Sequence, residues 1–219
     1  MLSLAPLRRA VARGLPRMSS AASTSALAAT VATVALSALT FAPAAQAQAA
    51  GGTAIAHPHV LLHTSDGDIT LELYPEKAPK TVANFLAYVK EGHYGGTIFH
   101  RVIPGFMIQG GGYDANMKER ATHAPIPLEA QSGLHNQVGT IAMARTSDPN
   151  SATSQFFINT VDNPNLDYPH PDGNGYAVFG RVTAGMDVVK KIEATPTTST
   201  GMMQDVPRTP VLIESAKVE

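Results

Sequence analysis

The segment Phe99-His100-Arg101-Val102-Ile103-Pro104-Gly105-Phe106-Met107-Ile108-Gln109-Gly110-Gly111 sets one arginine and one glutamine among apolar side chains. Arginine is rarely buried without a partner, so this is where the chain most invites a chemical reading. A guanidinium is a permanent charge and hydrogen-bond donor, although by itself an arginine on a strand is ordinarily a surface or ion-paired group. Other chemistries fall away by residue type or spacing. The chain has no cysteine, which removes thiolate nucleophiles, disulfides and Cys-based zinc or iron–sulfur sites. There is no Gly-x-Ser-x-Gly elbow, and nothing links a serine to a histidine and an acid. Gly110, Gly111 and Gly112 lack the Gly-Lys-Ser/Thr ending of a phosphate loop and read as turn glycines. His57, His59 and His63 fit no zinc spacing and read as solvated side chains; no metal is expected.

The elements that must hold this block are mostly strands. His59–Thr64, the turn signal Asp66-Gly67 and the alternating Ile69–Leu73 predict a β-hairpin. A helix follows. Pro79 suits its first turn, Val82, Phe85, Leu86 and Val89 recur at helical spacing, and Gly92 sits where a left-handed cap belongs. Strands are expected at Thr97–Ile103, Phe106–Gln109, Val138–Ala144, Gln155–Asn159 and Tyr176–Val182. A second helix is expected at Met186–Glu193 and a closing strand at Val211–Val218. Many strands, two helices and no βαβ alternation favour an antiparallel sheet closed on itself, because an open one would leave vulnerable edges.

The first 47 residues read as an address. Arg8, Arg9, Arg13 and Arg17 precede an uncharged Ala/Val/Leu/Thr stretch from Ala26 to Ala42, and Ala45-Gln46-Ala47 offers a small-x-small cleavage site. This predicts a cleaved signal peptide over residues 1–47 and a periplasmic protein, with residues 48–58 as a flexible lead-in and 59–219 as the functional domain. The apolar run is too short and too diluted by Thr and Ser for a membrane anchor, so no membrane association is expected after cleavage. The four arginines lie in this leader. Of 16 basic and 17 acidic residues the remainder keeps 12 and 17, a net of −5, which argues against nucleic acid as a partner.

The Phe99–Gly111 block resembles the cyclophilins, the peptidyl-prolyl cis–trans isomerases, whose FHRxIPGFMxQGG pattern it matches at every specified position. Two further family blocks stand in order: Gly139–Arg145 with Ser154–Asn159, and Gly175–Val182 running into Gly185–Val189. Together with the leader, the resemblance points to the periplasmic cyclophilins of Gram-negative bacteria. It implies an all-β fold, a closed eight-stranded antiparallel β-barrel capped by two α-helices. It also implies catalysis of rotation about Xaa-Pro bonds, assisting the folding of exported proteins. No cofactor is implied. The expected partners are proline-containing polypeptides, and the expected state is a monomer.

By the same resemblance, Arg101 is the catalytic donor to the amide nitrogen and His100 supports it. Phe106, Met107, Phe157 and Leu166 line a pocket for the proline ring, although taken alone such apolar strand residues would be core. Gln109 orients Arg101 or bonds a substrate carbonyl, and Gln155 completes the polar side. Ala144 and Arg145 offer backbone groups to an extended peptide, and Tyr176 belongs to the pocket. Three positions depart from the best-known members: Arg145 for a frequent Asn, Tyr176 for a frequent His, and Asn165 for an aromatic. The last predicts weak cyclosporin binding. The competing reading is a non-catalytic module that only holds proline-containing segments; an intact Arg101 favours the enzyme, because a binder has no use for a donor aimed at a twisted amide.

Overall fold

The structure, a computed structural model, describes residues 57–219. The expected signal peptide, and all of the lead-in but His57 and Pro58, lie outside those residues. Strands β1 (His59–Thr64) and β2 (Gly67–Leu73) form the expected hairpin, and helix α1 spans Pro79–Lys90. The chain continues through β3 (Thr97–Ile103), β4 (Met107–Asp114), β5 (Thr140–Met143), β6 (Phe156–Asn159) and β7 (Val178–Ala184). It ends with α2 (Met186–Glu193), a short hairpin of β8 (Thr197–Thr200) and β9 (Met203–Pro207), and β10 (Leu212–Val218).

Eight strands close into an antiparallel barrel in the order β1-β10-β3-β4-β6-β5-β7-β2, with β8 and β9 paired apart from it. Closure leaves every strand two faces and no open edge. One face fills the barrel: Leu62, Ile69, Leu71, Val102, Ile108, Ile141, Phe156, Ile158 and Phe179 form one core with Val82, Phe85 and Val89 of α1 and Val189 and Ile192 of α2. Phe85 is its hub, with ring centroids 5.2 Å from Tyr94, 5.7 Å from Phe156 and 5.2 Å from Phe179. The helices therefore hold because each has one apolar stripe and the barrel has an interior to receive it.

The structure departs from these expectations in four places. Gly110, Gly111 and Gly112 are not a turn but lie inside β4, which runs on to Asp114. The strand needs them. Gly111 has φ +86°, and a Cβ there would stand 2.8 Å from Tyr94 and 3.0 Å from Phe156. The β8–β9 hairpin was not expected at all, since Thr197–Pro207 carries no apolar alternation. Nor are His57 and His63 without partners. His57 packs edge-on to Tyr74 and lies between Glu72 and Glu76, while His63 bonds Asp68 and lies 3.2 Å from Glu214, contacts that raise its pKa. Pro58, expected in the flexible lead-in, accepts a 2.9 Å bond from the Leu73 N–H.

The seam between β2 and β7 leaves no space at Gly180, where a Cβ would stand 2.4 Å from the Glu72 carbonyl oxygen and 3.0 Å from Leu73. Backbone cannot rotate out of the way as a side chain can. Gly180→Ala is expected to lower the urea-unfolding free energy by about 3 kcal/mol. A wild-type midpoint would contradict the tight closure.

Candidate active site

A single cross-strand row carries three of the predicted residues, Arg101, Gln109 and Phe157. Arg101 pairs with Gln109, Gln109 with Phe157, Phe157 with Ala142, and Ala142 with Val178, so five neighbouring strands contribute one residue each. Met107, Ala142, Phe157 and Val178 form a second, smaller apolar cluster, separate from the barrel core, with Phe106, Leu134, Ala144, Leu166 and Tyr176 packed against it. Alternation explains the separation. Ile108, Phe156 and Ile158 face the barrel interior, which turns Met107, Phe157 and Gln109 to the other face.

Arg101 reaches that face through a β-bulge. Phe99 pairs with Gly110 and Arg101 with Gln109, leaving His100 as an extra residue. In a regular strand Arg101, two positions on, would share the inward face with Phe99; the bulge sets it on the other. His100 is buried, with its ring 4.8 Å from that of Tyr113, and its Nδ1 has no hydrogen-bond partner. Burial, reinforced by the adjacent Arg101 charge, lowers its pKa to about 4. The imidazole is therefore neutral at ordinary pH and adds no charge beside the guanidinium.

Arg101, Phe106, Met107, Gln109, Ala144, Arg145, Phe157, Leu166 and Tyr176 line one cavity of about 120 Å³. That is below the roughly 300–1,000 Å³ of pockets for drug-sized ligands, so it suits one small ring rather than a whole ligand. Its apolar wall is fixed by Phe157 and Tyr176, whose centroids are 5.7 Å apart at 80°. Two predicted residues stand outside it. Gln155 and His100 border a neighbouring cleft of about 400 Å³ that also reaches Arg101 and Gln109.

The contacts within the chain bear on several expected roles. The Gln109 Nε2 donates to Gln155 Oε1 at 3.0 Å and not toward Arg101. The Ala144 N–H is committed to the Gln155 carbonyl at 3.0 Å, so it is unavailable to an extended peptide. Arg145 contributes its side chain more than its backbone. Only 2% exposed, that side chain donates to the Gly175 carbonyl at 3.0 Å and to Asp172 at 2.8 Å, with its guanidinium carbon 4.5 Å from the Tyr176 ring centroid. It clamps the 162–175 loop to the end of β5 and seats Tyr176.

A buried amide network, which the sequence reading missed, supports the cavity from behind. Asn163 Nδ2 donates to the Phe106 carbonyl at 2.9 Å and to Asn159 Oδ1 at 2.7 Å, and Asn159 Nδ2 donates to Asn136 Oδ1 at 3.2 Å. Asp167 accepts from the Asn136 backbone and side chain and from His135. Partial burial acts to raise the Asp167 pKa, and these donors outweigh it, leaving the carboxyl below its usual value. The network spaces Phe106 from the 3₁₀ turn Pro164–Leu166 that presents Leu166. On the other side Glu193 accepts the Gly105 N–H at 2.8 Å and pins the turn before Phe106 to α2. No local signal marks these residues, because asparagines in loops are common and only the fold brings 136, 159 and 163 together.

The His100 environment gives a signed pH dependence. The unfolded imidazole takes up a proton below about pH 6.5 that the folded one refuses until about pH 4, so stability is lost as pH falls across that window. The loss is up to roughly 3 kcal/mol. His100→Gln is expected to flatten urea-unfolding free energies over this window relative to wild type; parallel profiles would refute it.

Comparison with known proteins follows the same geometry. The family described as cyclophilin type peptidyl-prolyl cis-trans isomerase/CLD matches residues 59–218. A peptidyl-prolyl cis-trans isomerase of Streptomyces antibioticus is 60% identical over 161 residues, covering 73% of this chain and 97% of that protein. Peptidyl-prolyl cis-trans isomerase B of Escherichia coli is 55% identical over 161 residues, covering 73% and 98%. The crystal structure of a Cryptosporidium parvum cyclophilin type isomerase is 28% identical, with a TM-score of 0.62, covering 74% of this chain and 98% of that one. A second structure of it was obtained in the presence of the dipeptide Ala-Pro. With a closed eight-stranded barrel, an arginine set in the wall of a small apolar cavity and relatives matched over nearly their whole length, the chain belongs to the cyclophilin-type peptidyl-prolyl cis-trans isomerases.

Proposed function

We propose that Arg101 is the catalytic donor, that the 120 Å³ cavity holds the proline ring, and that the substrates are exported polypeptides whose Xaa-Pro bonds limit folding in the periplasm. The observation that carries the reading is the shared wall: Arg101 borders the same cavity as Phe106, Met107, Phe157 and Leu166. The export part rests on the sequence of residues 1–47. The Cryptosporidium relative crystallised with Ala-Pro supports the ligand class.

The barrier of roughly 18–20 kcal/mol exists because the amide nitrogen lone pair is delocalised into the carbonyl. Twisting the bond localises that pair and turns the nitrogen into an acceptor. A fixed guanidinium bonds this acceptor only in the twisted state, so it lowers the barrier without stabilising either planar isomer. The cavity restrains the ring while the chain preceding proline rotates. Four decades of acceleration need roughly 5.5 kcal/mol, within reach of a charge-assisted bond plus orientation. No proton moves and no covalent bond changes.

Arg101→Ala is expected to lower kcat/KM for cis-to-trans relaxation of a short Xaa-Pro peptide by about 100-fold or more. Equal rates in the two proteins would remove Arg101 from the mechanism. Asn165 is exposed and does not border the cavity, so an aromatic rim is missing there. Activity is therefore expected to persist at nanomolar cyclosporin, and inhibition at that level would contradict the reading.

A further inference from the structure

The β8–β9 hairpin stands outside the barrel and packs on β3, the strand that carries Arg101. Its pairing is irregular. Thr198 pairs with Val206 and Thr200 with Met203, so one residue of β8 opposes two of β9, Gln204 and Asp205. Asp205 has φ +61°. This is a β-bulge with a left-handed residue, a position that glycine takes by default and that other residues occupy at a conformational penalty. A strained non-glycine residue held in place by its surroundings is a reason to ask what its side chain does.

Its side chain points at the candidate catalytic group. Asp205 Oδ2 lies 3.9 Å from Arg101 Nε, and among the described residues no other acid comes within salt-bridge range of that guanidinium. Gln109, the residue expected to orient Arg101, is turned to Gln155. Met203 and Gln204, immediately before Asp205, border the same 400 Å³ cleft as His100 and Arg101. The hairpin is thus the second wall around the arginine, opposite the apolar cavity lining.

We infer that Asp205 is a positioning residue for the isomerase reaction, holding the Nε edge of the Arg101 guanidinium so that its terminal amino groups serve the twisted amide. The inference rests on the assignment of Arg101 as donor. Arginine carries five N–H donors on a long side chain with many rotamers, and a bond to the proline nitrogen requires one of the donors in one direction. A carboxylate on the Nε edge selects among those rotamers without occupying the far end. Both side chains are about two-fifths exposed, so the pair is screened and its effect is modest. It acts on the transition state, not on substrate binding, because the proline ring is gripped by the other wall of the site.

The test uses two variants that tolerate the left-handed backbone: Asp205→Asn, which keeps the size, and Asp205→Gly, which removes the side chain. Both are expected to lower kcat on an Xaa-Pro peptide about fivefold, the equivalent of about 1 kcal/mol, with KM unchanged and the thermal midpoint not lowered. The Arg101 Nε–H resonance should move in both, while the Met107 methyl resonance stays in place. Wild-type kcat in both variants beside an inactive Arg101→Ala would overturn this inference alone. So would a loss accompanied by displaced Met107 signals and a lowered midpoint, which marks a structural role. Wild-type kcat in Arg101→Ala would overturn the donor assignment and this inference together.

Discussion

A closed barrel gives each strand residue two directions, into the core or away from it, and the site depends on one residue breaking that alternation. The bulge at His100 turns Arg101 from the side of Phe99 to the side of Gln109 and Phe157. Everything chemical then follows on the outward face, where a row across five strands runs from a guanidinium through an amide to an aromatic and two small apolar residues. The inward face remains free to pack α1 and α2 around Phe85. Stability and chemistry are thus divided between two sides of the same strands, which lets the outer residues vary without emptying the core.

The apolar cavity is shallow in sequence terms but rigid in structural ones. Its lining comes from strand residues, from the Gly105–Phe106 turn and from the 162–175 loop, and each irregular part is tied down by buried polar contacts. Glu193 holds the turn, Asn163 bridges the turn to the loop, and Arg145 fastens the loop to β5. Buried polar groups serve well here because each is satisfied by specific partners, so a displaced loop would strand donors away from water. That argument favours a preformed cavity over one that assembles around its ligand.

Electrostatically the site is simple. Arg101 is always charged, His100 is kept neutral by burial, and Asp205 is the acid nearest the guanidinium among the described residues. A reaction that moves no proton has no need of a titrating base. In the role proposed for Arg101 the requirement is directional, a donor aimed at a nitrogen that accepts only when its bond is twisted, and two bulges, one on β3 and one on β9, set where Arg101 and Asp205 stand.

The family, the barrel and the residues of the cavity were legible in the amino-acid order, because strand alternation, the Phe99–Gly111 block and the helix caps are local patterns. Boundaries fell within a residue or two except at β4, where three glycines looked like a turn; pairing with β3 and β6 makes the segment a strand, and close approach of Tyr94 and Phe156 keeps Gly111 without a side chain, both tertiary facts. The sequence named Phe157 and Met107 but could not by itself tell pocket from core, since both uses demand the same apolar side chains. Which partner each polar group takes was likewise beyond it: Gln109 to Gln155, Arg145 to Asp172, Asn163 to Phe106, Asp205 to Arg101. Local order sets what each residue can do, through periodicity and side-chain type; only the closed chain decides whom it meets, because those partners are separated by 27 to 104 positions and joined by strand register.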